Sequence, residues 1–125
     1  MARSIELSPF DEVVEEALKL ARDVDKLGHD SLLAAPYILA DYFDENDISA
    51  RDRGTKLLLL LNQAIDRITG ASSERYKAIL KGQYLQGKRI EDVMQDSAVL
   101  LALSSKATYH ENRKSAIKQL AAILT

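Results

Sequence analysis

Apolar residues recur at spacings of three and four along most of the chain, which is the period of a buried helix face. No segment alternates apolar and polar residues as a half-buried strand does, and no Asn-Gly pair marks a hairpin turn. The sequence therefore predicts an all-α fold. With 125 residues, 46% of them hydrophobic, the chain can bury a single core. We expect a compact bundle of about six helices.

The first helix is predicted from strong start signals and one continuous stripe. Ser8 suits the N-cap, Pro9 the first helical position, and Asp11 the first turn, where a carboxylate faces the positive end of the helix dipole. Gly28 is predicted to end this helix as a left-handed C-cap. The buried stripe comprises Phe10, Val13, Val14, Ala17, Leu18, Ala21, Val24 and Leu27.

Two further helices are expected in the N-terminal half. One covers residues 31–43, where Pro36 either marks the true start or kinks the middle. The other covers residues 49–68 and contains five consecutive leucines at 57–61, which place apolar surface on every side and predict a position at the centre of the bundle. Gly54 costs this helix about 1 kcal/mol relative to alanine, so a close contact is expected there.

Three more helices are expected in the C-terminal half. The first is capped by Ser72 or Ser73 and ended by Gly87, the second opens near residue 89, and Ser105 caps the last. The side chains predicted to point inward are Tyr76, Ile79, Leu80, Tyr84, Val93, Tyr109, Ala116, Ile117, Leu120 and Leu124. Arg75, Lys77 and Lys81 are expected to stay solvated.

Charge is distributed unevenly, and its sign changes near Gly70. Residues 1–70 carry eight Lys or Arg against fourteen Asp or Glu, a balance of −6, whereas residues 71–125 carry nine against five, a balance of +4. The chain thus divides into an acidic scaffold or interaction region at 1–70 and a basic region at 71–125, within one compact unit. A basic region attracts anionic partners such as nucleic acid, although random scatter of solvated charge gives the same counts.

An ordered set of residues in the C-terminal half carries a family resemblance. It comprises Tyr76, Leu80, Tyr84, Leu85, Gly87, Val93, Ser105, Tyr109, Ala116, Ile117 and Leu120. This set resembles the region-four helix-turn-helix of bacterial sigma factors, and it is still more similar to the sigma-like regulators of phage late genes and autolysin export. The resemblance implies a phage or bacterial DNA-binding transcriptional regulator with a C-terminal helix-turn-helix-like unit, whose last helix is the recognition helix.

The resemblance also implies roles for individual side chains. Base-facing positions fall on Lys106, Ala107, Thr108, His110 and Glu111, and DNA-backbone contacts fall on Lys88, Arg89, Arg113 and Lys114. The chemistry suits these roles, because lysine donates to guanine, glutamate accepts from cytosine, and the threonine methyl meets that of thymine. Lysine and arginine at phosphates would supply most of the affinity and make it salt-dependent.

Two features depart from the family pattern. Ser105 lies twelve residues after Val93, further than in the family, and the intervening segment contains an apolar run at 98–103. Asn112 stands where the family has an apolar residue, so an amide would be buried unless the helix is rotated. Either the second helix is extended and the recognition helix displaced, or the scaffold is reused to bind protein. The alternative function is therefore a helical protein-interaction module, an adaptor or docking subunit without DNA binding.

Partners other than DNA follow from the same alternatives. The N-terminal helices suit a scaffold, a dimerisation unit or a docking surface for RNA polymerase or another regulator. The two-fold symmetry of a dimeric DNA-binding protein matches that of a palindromic DNA site, so a homodimer fits a DNA-binding function. The apolar run at 98–103 suits core packing, or a seam between two copies or with another protein.

Enzymatic and metal-binding functions have little support in the sequence. The chain has no cysteine, so disulfides and thiolate chemistry are excluded. The two histidines, His29 and His110, form no metal motif, and the acidic group around Asp44 lacks the glycine and the glutamate of a calcium loop. The glycines form no phosphate-binding loop. We therefore expect no enzyme activity, no metal and no cofactor.

Membrane association is not expected either. The longest apolar runs are far shorter than the about 20 residues that a bilayer crossing needs. No signal peptide is visible at the Met1 end. The sequence thus predicts a soluble cytoplasmic protein.

Overall fold

The computed structural model describes residues 6–31, 49–95 and 106–124, and these residues form six α-helices. In chain order they are α1 Pro9–Leu20, α2 Val24–Asp30, α3 Ala50–Asp66, α4 Ser73–Leu80, α5 Ile90–Met94 and α6 Lys106–Leu124. A π-helical turn at Lys81–Leu85 continues α4. No strand occurs in the described ranges, so the prediction of an all-α helical bundle is confirmed.

Several sequence predictions concern residues outside the described ranges. The second helix expected at 31–43 falls there beyond Ser31, as does the acidic group around Asp44. The apolar run at 98–103 and the cap expected at Ser105 fall there as well. These expectations stay predictions.

The N-terminal apolar stripe is divided between two helices instead of one. α1 begins as predicted, because the Ser8 hydroxyl accepts from the Asp11 N–H at 3.2 Å while the Asp11 carboxylate accepts from the Ser8 N–H at 2.8 Å. The helix ends at Leu20, and the Asp23 side chain caps α2 by accepting from the Lys26 N–H at 3.2 Å. The apolar spacing continues across the break, so periodicity alone merged the two helices.

The glycines of the N-terminal half serve packing. The prediction that Gly28 ends a helix in a left-handed conformation is wrong, since Gly28 lies buried within α2 and the only glycines described with positive φ are Gly70 and Gly87. A Cβ on Gly54 would lie 1.7 Å from the Val24 carbonyl oxygen and 3.0 Å from the Gly28 nitrogen. The close contact expected at Gly54 is therefore present, and α2 crosses α3 with backbone against backbone.

One main core unites helices from both halves of the chain. Its buried members are Val14, Ala17, Leu18, Leu27, Leu57, Leu61, Ala64, Ile65, Ile68, Leu80, Tyr84, Ala116, Ile117, Leu120, Ala121 and Leu124. Every inward position predicted for α6 is buried. The leucine run departs from its prediction, because Leu57 and Leu61 are fully buried whereas Leu59 is 58% exposed. α3 therefore turns one edge to solvent.

Candidate nucleic-acid interface

Three helices of the C-terminal half meet around a second, smaller cluster. Ile79 of α4, Val93 of α5 and Tyr109 of α6 are buried together. Gly82 permits the approach of α5, because a Cβ there would lie 3.0 Å from Val93 Cγ2. The Tyr109 hydroxyl donates to Gln83 Oε1 at 2.8 Å, and burial raises the pKa of this phenol. The cluster thus anchors α6 close to its N-terminal end, against α4 and α5.

The first turn of α6 projects from this cluster into solvent. Lys106, Ala107 and Thr108 are exposed, while Tyr109 directly behind them is buried. Lys106 Nζ donates to Glu91 Oε1 at 2.6 Å, which joins the first turns of α6 and α5 and holds the pKa of Glu91 below its ordinary value. Both side chains are more than half exposed, and exposed ion pairs contribute little to stability. Lys106 can therefore exchange Glu91 for another acceptor at small cost.

The other predicted base-reading side chains are less accessible. His110 and Glu111 are half buried, as is Lys114 one turn further along. Arg113 Nε donates to His110 Nδ1 at 3.3 Å, which favours the tautomer that carries its proton on Nε2. Burial, and then the charge of Arg113, lower the pKa of His110 below its ordinary value. At neutral pH His110 can thus offer hydrogen bonds to a ligand but no positive charge.

Arg113 lies at the interior of the fold. Its side chain is only 13% exposed, pairs with Glu15 of α1 and donates to the Tyr84 hydroxyl at 3.1 Å. Burial alone would lower the pKa of Arg113, but Tyr84 and Glu15 outweigh it and raise that pKa. Because these contacts hold α6 against α1 and the end of α4, we leave Arg113 out of the proposed interface.

Two further lysines also connect the basic half of the chain to the acidic half. Lys118 Nζ donates to Asp11 Oδ2 at 2.9 Å, and Lys81 Nζ donates to Asp66 Oδ1 at 2.5 Å. Burial raises the pKa of Asp11, but the hydrogen bonds from Lys118 and Ser8 outweigh it, so the pKa lies below its ordinary value. Part of the charge asymmetry seen in the sequence is therefore neutralised by ion pairs within the molecule.

The polar residue that departs from the family pattern has partners. Asn112 Oδ1 accepts from Arg75 Nε at 2.8 Å, and Asn112 Nδ2 donates to the Thr108 carbonyl at 2.9 Å. Arg75 also donates to the Ser72 hydroxyl at 2.8 Å and is half buried, whereas the sequence predicted a solvated side chain. The amide at position 112 thus links α6 to the start of α4.

Lys88 and Arg89 are exposed in the turn before α5. Gly87, with φ +67°, reverses the chain there. Lys88 lines a surface pocket of about 470 Å³ together with Lys77 and Lys81. The carboxylates Asp66 and Glu74 line the same pocket, at 2.5 Å from Lys81 and 3.9 Å from Lys77 respectively.

Sequence reasoning missed the grouping of Lys77 and Lys81 with Lys88. Their spacing of four residues on α4 was the available signal, because it places them on one face of a helix. That signal does not reveal that Lys88 lies beside the same face. The pocket brings Lys77, Lys81 and Lys88 together with the carboxylates of Asp66 and Glu74, so part of its positive charge is already neutralised.

Within the described ranges, no group of three or more His, Cys, Asp or Glu side chains is arranged to hold a metal ion. None of the helices in those ranges has the length and the apolar content that a bilayer crossing requires.

Comparison with known protein families, with curated proteins and with solved structures found no match for this chain. A functional proposal therefore depends on the geometry of the C-terminal helices.

Proposed function

We propose that this protein binds duplex DNA through the first turn of α6 and thereby regulates transcription. The observation that carries this proposal is the exposed segment 106–108, which begins α6 just outside the cluster of Ile79, Val93 and Tyr109. In helix-turn-helix proteins, the N-terminal residues of the second helix contact base edges in the major groove. A helix that is anchored by buried side chains and exposed at its N-terminal end suits that role.

Direct base contacts would come from the exposed side chains of this turn. Lys106 can donate to guanine O6 and N7, and the Thr108 methyl can pack against that of thymine. His110 and Glu111 lie one turn further along, where a neutral imidazole and a carboxylate offer hydrogen bonds to bases. Sequence preference would depend mainly on Lys106 and Thr108, because they are the more exposed.

Phosphate contacts would come from the lysines and the arginine around α5. Lys88 and Arg89 precede α5 and are exposed, and Lys114 lies about two turns after Lys106 on α6. We add Lys77, because it shares a pocket with Lys88, and leave out Lys81, because Lys81 is paired with Asp66. Such contacts fix the register of a protein on DNA and make its affinity depend on salt.

In this proposal the protein is a binding protein and not an enzyme. The similarity of its C-terminal residues to sigma-like regulators suggests a phage or bacterial setting. Its DNA would then lie in the cytoplasm, where RNA polymerase or another regulator would be available as a partner.

Salt dependence of DNA affinity is the first test. Binding of random duplex DNA is measured by fluorescence anisotropy at ~50 and ~200 mM salt. For about four phosphate contacts, the affinity should fall by about a hundredfold over this range. Absence of binding at the lower salt, or affinity indifferent to salt, would contradict the proposal.

Base reading is tested separately with two matched lysine variants and a preferred site selected from random DNA. Lys106→Ala should weaken the preferred site by about 1–3 kcal/mol more than random DNA, because it removes a base contact. Lys88→Ala should weaken both DNAs alike. Lys19→Ala, on the exposed face of α1, is the control and should change neither. If Lys106→Ala, like Lys88→Ala, weakens binding to the preferred site and to random DNA equally, Lys106 does not contact bases.

A helical protein-interaction module is the second candidate function. It is favoured by the internal pairing of Lys81, Arg113 and Lys118, which withdraws positive charge from any DNA-binding surface. A well-folded protein that fails the salt test would support this candidate.

A further inference from the structure

We propose that Glu91 and Lys106 together read one G·C base pair of a DNA site, and that Glu91 decides which strand carries the guanine. This inference rests on the proposed function, because it assigns a sequence preference to the same interface. The family resemblance assigns Lys106 to the bases but gives no role to Glu91, which lies in the first turn of α5. The contact between these two side chains makes Glu91 a specificity-determining residue.

Glu91 and Lys106 present an acceptor and a donor at the same point of the surface. Lys106 Nζ and Glu91 Oε1 are 2.6 Å apart, and the two side chains are 62% and 57% exposed respectively. A buried cluster holds their backbones, since Val93 lies two residues after Glu91 and Tyr109 three residues after Lys106. The two helices therefore fix the side from which each group approaches a ligand.

Stability gives little reason for a carboxylate at position 91. An ion pair as exposed as this one contributes little to the free energy of unfolding. A negative charge beside Lys106 also repels phosphate, which lowers the affinity for DNA of any sequence. The other carboxylate in the first turn of α5, Asp92, pairs with Arg89 at 4.0 Å. Glu91 thus favours DNA binding only if it accepts a hydrogen bond from a base.

The spacing of the two groups matches the major-groove edge of a G·C pair. Guanine presents two acceptors side by side, N7 and O6, and the cytosine amino group follows as a donor. An N–H···O bond joins O6 to that amino group, so the two atoms are about 2.9 Å apart. Lys106 can donate to the guanine acceptors while Glu91, 2.6 Å from its ammonium group, accepts the second amino hydrogen of cytosine.

The other base pairs fit this arrangement less well. An A·T pair places its amino group between two acceptors, so an ammonium group there meets one acceptor beside a donor instead of two acceptors. A C·G pair presents its groups in the reverse order, so the carboxylate would face O6 and N7. Lysine alone has a flexible stem and can reach guanine on either strand. Glu91 therefore supplies the preference for one orientation.

The test uses the preferred DNA site selected with the full chain, and three versions that change the base pair at which Lys106→Ala loses its preference. In fluorescence anisotropy, reversing this pair from G·C to C·G should weaken wild-type binding about tenfold. Glu91→Ala should bind both orientations alike, while its affinity for random DNA rises a few-fold. Alanine is the informative change, because glutamine would keep an acceptor oxygen. The double change Glu91→Lys with Lys106→Glu should prefer C·G, since donor and acceptor have exchanged places.

Asp92→Ala is the matched control, because it removes the same charge from the same turn of α5. It should strengthen binding to all four duplexes alike and keep the preference for G·C. The urea midpoint of Glu91→Ala should equal that of the wild type, since the lost pair is exposed.

Three outcomes would overturn this inference while the proposed function stands, provided that DNA binding depends on salt. They are a preferred A·T pair at this position, an orientation preference that survives Glu91→Ala, and a double variant that still prefers G·C. Absence of salt-dependent DNA binding would overturn both the inference and the proposed function.

Discussion

α2 and α3 cross with backbone against backbone, whereas α4, α5 and α6 meet around a small buried cluster whose edge is bridged by long side chains. At the first contact, the position of Gly54 has no room for even a methyl group beside the Val24 carbonyl. At the edge of the second, Lys106 reaches Glu91 through side chains that are both more than half exposed. A contact between backbones allows no exchange of partners, while a contact between exposed side chains does. The first region is therefore suited to support and the second to binding.

The largest effect should come from Gly54→Ala. A Cβ at this position would overlap the Val24 carbonyl oxygen, so α2 must move away from α3. We expect a loss of about 3 kcal/mol in the free energy of unfolding, measured in urea, despite the better helix propensity of alanine. Thr55→Ala, on the exposed side of α3, should stay within about 0.5 kcal/mol of the wild type. A gain of about 1 kcal/mol for Gly54→Ala would show that the two backbones are not in contact.

Arg113→Met should have the next largest effect. It removes the partner of the Tyr84 hydroxyl and leaves Glu15, in a largely buried position, with only Lys19 at 3.6 Å, which we expect to cost about 2 kcal/mol. Combining it with Glu15→Gln should cost less than the sum of the two single changes, as measured in a double-mutant cycle. Additive losses would mean that the two side chains are not coupled.

A smaller effect should appear as a pH dependence of stability. The pKa of His110 is lowered in the fold, so the folded protein binds fewer protons than the unfolded chain. The contribution of His110 is complete above its unfolded pKa of about 6.5 and falls as the pH decreases toward the lowered folded value.

Urea unfolding between pH 7.5 and 5 measures this dependence. His110→Gln should flatten the decline, because glutamine does not titrate. Asp11 belongs to a lower pH window, since its pKa is lowered from the ordinary value of an aspartate. An equal decline in the wild type and in His110→Gln would contradict the environment described for His110.

The smallest effect on stability should come from Glu91→Gln. Its pair with Lys106 is exposed, so the urea midpoint should not change measurably. DNA affinity at low salt should rise a few-fold, because the change removes a negative charge beside Lys106. Glu12→Gln on α1 is the matched control. Reduced DNA affinity in Glu91→Gln would contradict the proposed interface.

Local signals in the sequence were sufficient for much of the fold. The capping box at Ser8 and the left-handed Gly87 involve residues that are close in the chain, and both are present. The inward positions of α6 follow directly from the helical period. The break before Asp23 was missed, because Ala21, Val24 and Leu27 keep the same period across it.

Information about neighbours distant in the chain was not available from periodicity. The pattern identified Lys106 and Thr108 as outward-facing, and they are exposed. It did not reveal that Arg113 meets Glu15, 98 residues away, because a period indicates a face of a helix and not what packs against it. Leu59 was misassigned for the same reason, since a run of leucines does not indicate which side lacks a neighbour.

The long-range pairs between α1 and α6 have a consequence during synthesis. Between Leu20 and Lys106 stand 85 residues, which a ribosome adds in roughly 4–17 s. Throughout that interval, the face of α1 that carries Val14 and Leu18 has no α6 to cover it. Newly made chains are therefore vulnerable to aggregation for seconds, and a chaperone that shields α1 should raise the yield of folded protein.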